Sequence, residues 1–153
     1  SGVGLAANQV DLPMRFFIAN LEADPEKGEE LVFINPVISK PKGSAEQEEG
    51  CLSLPGLYGS VKRPKKVRIN AYSLQGEELI ADLDGLFARV VQHETDHLDG
   101  VLFTDRMTET AKIEVEDALD EFTTEFKSRR STGGIPDDDA IGARLAEFEE
   151  RYC

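Results

Sequence analysis

The sequence predicts an α+β fold: antiparallel strands wrapped around one central helix, with a second helix on the C-terminal side. Three observations point there. Short apolar runs bounded by turn residues occupy the first half of the chain. Segments with helical spacing of apolar residues occupy much of the second half. The only two histidines, His93 and His97, stand four apart on the first of those helices, so they share one face.

The strands come first. Met14 to Asn20 (MRFFIAN) and Leu31 to Ile38 (LVFINPVI) are apolar runs, and Asp24-Pro25-Glu26-Lys27-Gly28 between them reads as a hairpin loop. Lys66 to Leu74 and Glu78 to Leu83 read as two strands joined by a turn at Gln75-Gly76. In the first of these, Val67, Ile69 and Ala71 alternate with Arg68, Asn70 and Tyr72, the period-two signature of a half-buried strand. A helix is expected from Leu86 to Leu98, capped by Asp84 and stopped by Gly100. Leu86, Val90, His93 and His97 lie on one of its faces. A second helix is expected over Thr110 to Lys127, with Val115, Leu119, Phe122 and Phe126 as its apolar stripe. Arg130 to Asp139 holds Gly-Gly, Pro and three Asp in a row, which reads as a linker before a short amphipathic stretch, Ala140 to Tyr152. The expected organisation is therefore a catalytic unit over residues 1–130 and a linker with a short, loosely docked helical extension over 131–153.

Composition bounds the function. A chain of 153 residues buries one core without disulfides. Its net charge of −13 repels phosphate backbones, so direct nucleic-acid binding is not expected. No apolar run approaches the roughly 18 residues that suggest a membrane span. With two cysteines, Cys51 and the terminal Cys153, the chain has no disulfide framework, and a reduced, cytoplasmic setting fits best. Import into an organelle after removal of a leader remains open.

The chemistry concentrates in three short segments. Gln92-His93-Glu94-Thr95-Asp96-His97 places two imidazoles one helical turn apart, able to grip one metal ion, with Glu94 beside the ion's open position. Both rings face an apolar stripe, where an unpaired ring or carboxylate is costly to bury and a metal removes that cost. A hydrolytic site needs a third protein ligand. The protease class that uses a further downstream His is excluded, because no third His exists. A Glu from the last helix and Cys51, within Glu49-Gly50-Cys51-Leu52-Ser53, both remain candidates. Gly2-Val3-Gly4-Leu5-Ala6-Ala7-Asn8-Gln9 opens the chain. It fails as a phosphate loop, since no Lys-Ser/Thr follows it and no clear strand precedes it.

Taken together, the three segments resemble the signature set of the peptide deformylase family: G-x-G-L-A-A-x-Q, then E-G-C-L-S, then Q-H-E-x-D-H-L. Each is present without a substitution at its defining positions, and the resemblance runs from Gly2 to about Arg130. The stretch Cys51 to Pro64 (CLSLPGLYGSVKRP) is similar to the bacterial and chloroplast-like branch. The resemblance implies a hydrolase that removes the formyl group from N-terminal formyl-methionine of nascent chains. It implies Cys51, His93 and His97 as ligands of one divalent metal, Fe²⁺ in the cell with Zn²⁺, Ni²⁺ or Co²⁺ accepted. It implies Glu94 as general acid and base, with Gln9 and the backbone N–H of Leu52 as oxyanion donors. Val3, Gly4, Gly50, Leu86 and Val90 match positions lining the substrate cleft.

Two departures bear on this expectation. Family members usually carry a few dozen residues before the first glycine motif, so an N-terminal segment is expected to be missing. The second helix is acidic, with Glu114, Glu116, Asp117, Asp120, Glu121 and Glu125 and no basic residue from Ile113 to Phe126. Ribosome docking by a basic helix at this place, known in some family members, is therefore not carried over. The competing functions are a zinc peptidase with the same two-His helix and a Glu ligand, and a retired deformylase fold serving as a binding module.

Overall fold

A computed structural model describes residues 2–22, 24 and 26–152. Pro25, in the expected hairpin loop, lies outside the described residues. Among the described residues, seven strands and three α-helices follow one another. The strands are β1 (Gly4–Ala6), β2 (Phe16–Ala19), β3 (Leu31–Lys42), β4 (Ala45–Cys51), β5 (Leu54–Arg63), β6 (Lys66–Tyr72) and β7 (Glu78–Asp84). The helices are α1 (Gly85–Leu98), α2 (Glu109–Ser131) and α3 (Asp138–Tyr152). The fold is α+β, with five strands in the order β1-β2-β3-β6-β7 and a separate β4-β5 hairpin. Every strand pair is antiparallel.

The large sheet buries one face against α1. The alternation expected in β6 is present, with Val67, Ile69 and Ala71 buried and Arg68, Asn70 and Tyr72 on the other face. Phe17 and Ala19 of β2 and Phe33 of β3 join them, and Ala88, Val90 and Val91 of α1 close the cluster. Phe17 and Phe33 stack with ring centroids 4.8 Å apart. A second apolar cluster forms where Leu54, Leu57 and Val61 of β5 meet Phe103, Met107 and α2. Val115, Leu119 and Phe122 of α2 pack on it. These two clusters are separate, and the seam between them is where the functional side chains gather.

The helices begin and end for local reasons that differ in part from expectation. Asp84 occupies the N-cap position of α1, but its side chain makes no capping hydrogen bond. It lies 3.4 Å from the Lys66 ammonium instead, across the β6–β7 pairing. Gly100, at φ +72°, takes the left-handed conformation that ends α1. Thr108 caps α2 by accepting from the Ala111 N–H at 3.2 Å. The apolar stripe of α2 stops one step earlier than its spacing predicts: Phe126 is exposed, with the Arg130 guanidinium 5.8 Å from its ring. α2 also runs through Arg130 to Ser131, and α3 starts at Asp138, so the expected linker shrinks to a turn around Gly133. α3 has no buried residue. No helix of the described residues is long and apolar enough to cross a membrane.

Candidate metal centre

α1 fixes the two histidines by its helical rise alone. Residues four apart stack, and the Nε2 atoms of His93 and His97 come within 3.2 Å of each other. The third donor arrives from the hairpin. Cys51 ends β4, where the pairing slips between Gly50 and Cys51, and its Sγ lies 3.1 Å from His97 Nε2. Among the described residues, these three form the only such group of His, Cys, Asp or Glu side chains. No Glu of α2 joins it.

The donor set fits a metal. Tetrahedral bonds of about 2.3 Å to sulfur and 2.0–2.1 Å to nitrogen put such donors about 3.3–3.6 Å apart. The separations of 3.2 Å between the imidazole nitrogens and 3.1 Å from sulfur to His97 are only a few tenths of an ångström shorter. Thiolate and imidazole also suit zinc, iron, nickel and cobalt alike. Burial pushes the Cys51 thiol up, but hydrogen bonds to His93 and His97 outweigh it and bring it to about 5. The thiolate, the ligating form, is therefore favoured at neutral pH. Burial lowers His93, yet its bonds to Cys51 and Glu49 prevail and hold it at about 9. A cation entering the centre displaces a proton from that ring.

Glu94 sits between the two histidines in sequence and about 100° away from His93 around the helix. It is buried, with Oε2 lacking any hydrogen-bond partner. Burial pushes its carboxyl up to about 7, only partly offset by His93 and His97. Gly4 of β1 makes room for it: a Cβ there would overlap Glu94 Oε1. Gln9, in the short 3-10 turn Ala7–Val10, is anchored through Oε1, which accepts from the Ala6 N–H at 2.8 Å. Its amide nitrogen thereby points at the centre, 2.8 Å from Ser53 Oγ and 3.7 Å from Cys51 Sγ. Asn8 ties the same turn to the end of α1 by donating to the His97 carbonyl at 2.5 Å.

A cleft of about 440 Å³ opens over these groups. Ten of the eleven residues singled out in the sequence line it: Val3, Gly4, Gln9, Gly50, Cys51, Leu52, Leu86, Val90, His93 and Glu94. The eleventh, His97, lies behind them and is buried. Leu86 and Val90 share a wall of the cleft, Leu86 exposed at its mouth and Val90 buried. Tyr58, for which no motif in the sequence suggests a role, also lines the cleft and lies against Gly50 so closely that a Cβ there would come within 2.6 Å of its ring. A buried charged group beside the centre, made by Glu49, Arg63, Arg89 and Asp96, is likewise not among the residues singled out in the sequence. One signal was present in the sequence. Arg89 lies four residues before His93 on the apolar face of α1, and a buried arginine demands anionic or carbonyl partners.

A thiolate and two imidazoles converge under a cleft, with a partnerless carboxylate on the same helix. That arrangement is able to hold a metal ion and suits the class of metal-dependent hydrolases built on a two-histidine helix. The family model for polypeptide deformylase matches residues 1–112. A peptide deformylase from Rhodopirellula baltica is 52% identical, covering 99% of this chain and 75% of that protein. The chloroplastic/mitochondrial peptide deformylase 1B of Arabidopsis thaliana is 38% identical over 94% of this chain, and the chain spans 52% of its length. A crystal structure of Arabidopsis peptide deformylase 1B with an inhibitor superposes with a TM-score of 0.80 at 38% identity, covering 90% of this chain and 75% of that one. The chain belongs to the peptide deformylase family, metal-dependent enzymes that remove the N-terminal formyl group from nascent polypeptides.

Proposed function

We propose that the residues of this centre carry out deformylation of N-terminal formyl-methionine, with the roles that follow. The observation that carries the assignment is the meeting of Cys51 Sγ with the His93 and His97 Nε2 atoms beside a buried Glu94 carboxylate. Cys51, His93 and His97 hold one divalent cation, Fe²⁺ in the cell by analogy with the family, with Zn²⁺, Ni²⁺ or Co²⁺ as replacements. When bound, such a cation supplies Lewis acidity, lowering the pKa of water toward neutrality and polarising a carbonyl oxygen.

The protein groups do the rest. Val3, Leu86 and Val90 receive the methionine side chain, and the close backbone at Gly4 and Gly50 lets the peptide approach. Glu94 takes a proton from the attacking water, and a pKa near neutrality suits a group that must also return it. The Gln9 amide and the Leu52 backbone N–H donate to the formyl oxygen as it gains charge. Glu94 gives the proton to the leaving amine, the C–N bond breaks, and formate and a free methionyl N-terminus remain.

The substrates we infer are N-formylmethionyl peptides of nascent chains. The setting we infer is a bacterial cytoplasm, from the Rhodopirellula relative, with the plant relatives pointing to an organelle as the second setting. Residues 1–130 form the proposed catalytic unit and 131–153 an accessory extension. The acidic α2 would be repelled by ribosomal RNA, so we infer no ribosome docking through it.

Two variants test the roles. Glu94→Ala should retain the metal and lose at least about a hundredfold in turnover, the low end for a general acid–base group. Cys51→Ala should lose metal and activity together. The assay is formate release from formyl-Met-Ala, with metal content measured on each protein and an unformylated peptide as control. Near-normal turnover in Glu94→Ala would refute the mechanism. Cleavage of the unformylated peptide would favour the peptidase reading, and metal binding without turnover in the unaltered chain would favour the retired module.

A further inference from the structure

The proposed metal donors come from two separately packed halves. His93 and His97 belong to α1, which packs on the large sheet in one apolar cluster. Cys51 belongs to the hairpin, which packs with α2 in the other. The Phe103 ring stacks on His93 across the seam, with centroids 6.3 Å apart. Most of what joins the halves there is charged and buried.

Glu49 of β4 lies at its middle. Its carboxylate accepts from Arg63 Nε at 2.7 Å and Arg63 Nη2 at 3.0 Å. It also accepts from Arg89 Nη1 and faces His93 Nδ1 at 3.0 Å. Arg63, on the hairpin, reaches across to Asp96 of α1 at 2.7 Å. Arg89, on α1, reaches back to the hairpin carbonyls of Val61 at 3.1 Å and Ala45 at 2.9 Å. Each half therefore sends one arginine into the other, and both arginines hold the same carboxylate.

The geometry points to Glu49, clamped by Arg63 and Arg89, as a positioning residue that sets the His93 ring and the helix–hairpin spacing for metal binding. This rests on the metal-centre reading above. The chemistry is direct. A His that donates its Nδ1–H to a carboxylate has its tautomer fixed, and the Nε2 lone pair is left for the ion. Here that Nε2 faces His97 Nε2. The guanidiniums keep the carboxylate charged and leave it little freedom to turn, because bidentate arginine bonds are directional. Apolar packing has no such directionality. Buried ion pairs are also a weak source of stability compared with apolar residues of the same volume. Their use at this seam is better explained by the fixed distance they impose between Cys51 and the two histidines.

The test uses the full chain and Co²⁺ as the only ligand, so no peptide turnover is needed. Affinity is measured by chelator competition, the d–d and thiolate charge-transfer bands report ligand geometry, and the Tm of the metal-free protein reports folding. Glu49→Gln should weaken Co²⁺ binding by about 10–100-fold, the usual cost of removing a partner of a ligating histidine. Arg89→Met leaves both Arg63 bonds to Glu49 in place and serves if Glu49→Gln fails to fold. It should weaken binding in the same direction and shift the Co²⁺ bands. In the double variant, Arg89→Met should add little to Glu49→Gln, because it acts through that carboxylate. Co²⁺ affinity and bands unchanged in a folded Arg89→Met or Glu49→Gln, whatever happens to Tm, would overturn the inference and leave only a structural role. Failure of the unaltered chain to bind Co²⁺ would overturn the metal-centre reading itself.

Discussion

Gly4→Ala should disable the enzyme without touching a proposed metal donor. Gly4 of β1 pairs with Ala19 of β2 and faces Glu94. A Cβ built there would overlap Glu94 Oε1 and stand 2.7 Å from Cδ and 2.8 Å from Cγ. Ordinary contact starts at 3.4 Å, so Cδ must retreat by 0.7 Å and the oxygen by more. Neither neighbour yields easily. β1 is held by its ladder with β2, and Glu94 is enclosed on a helix whose Ala88 and Val91 are fully buried. The backbone of Gly4 is not left-handed, so alanine meets no conformational penalty and the effect is steric alone. A misplacement of about 1 Å in a catalytic group costs about a hundredfold in rate. Formate release from formyl-Met-Ala should fall by about that factor, while metal content stays that of the unaltered protein. Turnover within threefold of the unaltered protein, with metal retained, would refute the claim that Gly4 sets the position of Glu94.

The other predictions concern stability and the tail. Phe17 is fully buried and stacked on Phe33, so Phe17→Ala should cost about 3–5 kcal/mol, read as a lower urea midpoint at unchanged slope. Deleting residues 131–153 should leave formate release nearly unchanged. Beyond its half-buried apolar residues, α3 is tied down by exposed pairs such as Arg144–Asp11 at 3.2 Å and Arg130–Asp138 at 2.5 Å, each worth at most about 1 kcal/mol. Asp11 follows Gln9 by two residues, so a large drop in turnover with metal retained would instead show that α3 steadies the Gln9 turn.

How far the sequence could be read depended on periodicity. β6 was legible because Val67, Ile69 and Ala71 alternate on its buried face, and α1 because Leu86, Val90, His93 and His97 share one face, of which Leu86 is exposed at the cleft mouth. The convergence of His93 and His97 followed from helical spacing alone, and that of Cys51 only from the resemblance. The β4–β5 hairpin was invisible as structure. β4 reads Ala-Glu-Gln-Glu-Glu-Gly-Cys, with no apolar alternation, and β5 is interrupted by Pro55, Gly56 and Gly59. Its strands exist because they pair with each other from Ala45–Arg63 to Cys51–Leu54. Nothing local in β4 dictates an extended form. The Glu49–Arg63–Arg89–Asp96 group was missed for a similar reason. Arg63 and Arg89 lie 14 and 40 residues from Glu49, and Asp96 lies 33 from Arg63, so that apart from the buried position of Arg89 on α1 no local pattern brings them together.

Glu49 and Glu94 show how the fold separates two chemically identical groups at one centre. Both carboxylates are buried, and both stand close to His93. Burial raises each. At Glu49 the bonds from His93, Arg63 and Arg89 overwhelm that effect and hold the group at about 2. Glu94 receives no such donor, its Oε2 has no partner, and it rises to about 7. A carboxylate at 2 is a fixed charge at any working pH, suited to orienting a ring and unable to carry protons. One at 7 can take a proton and return it. Environments that push a pair of like groups apart in this way suit them to different tasks, here the proposed ones of a fixed anion and a proton carrier. The divergence also has a sequence origin. Glu49 lies on a strand facing two arginines, whereas Glu94 lies on a helix facing Gly4, a residue with no side chain to answer it.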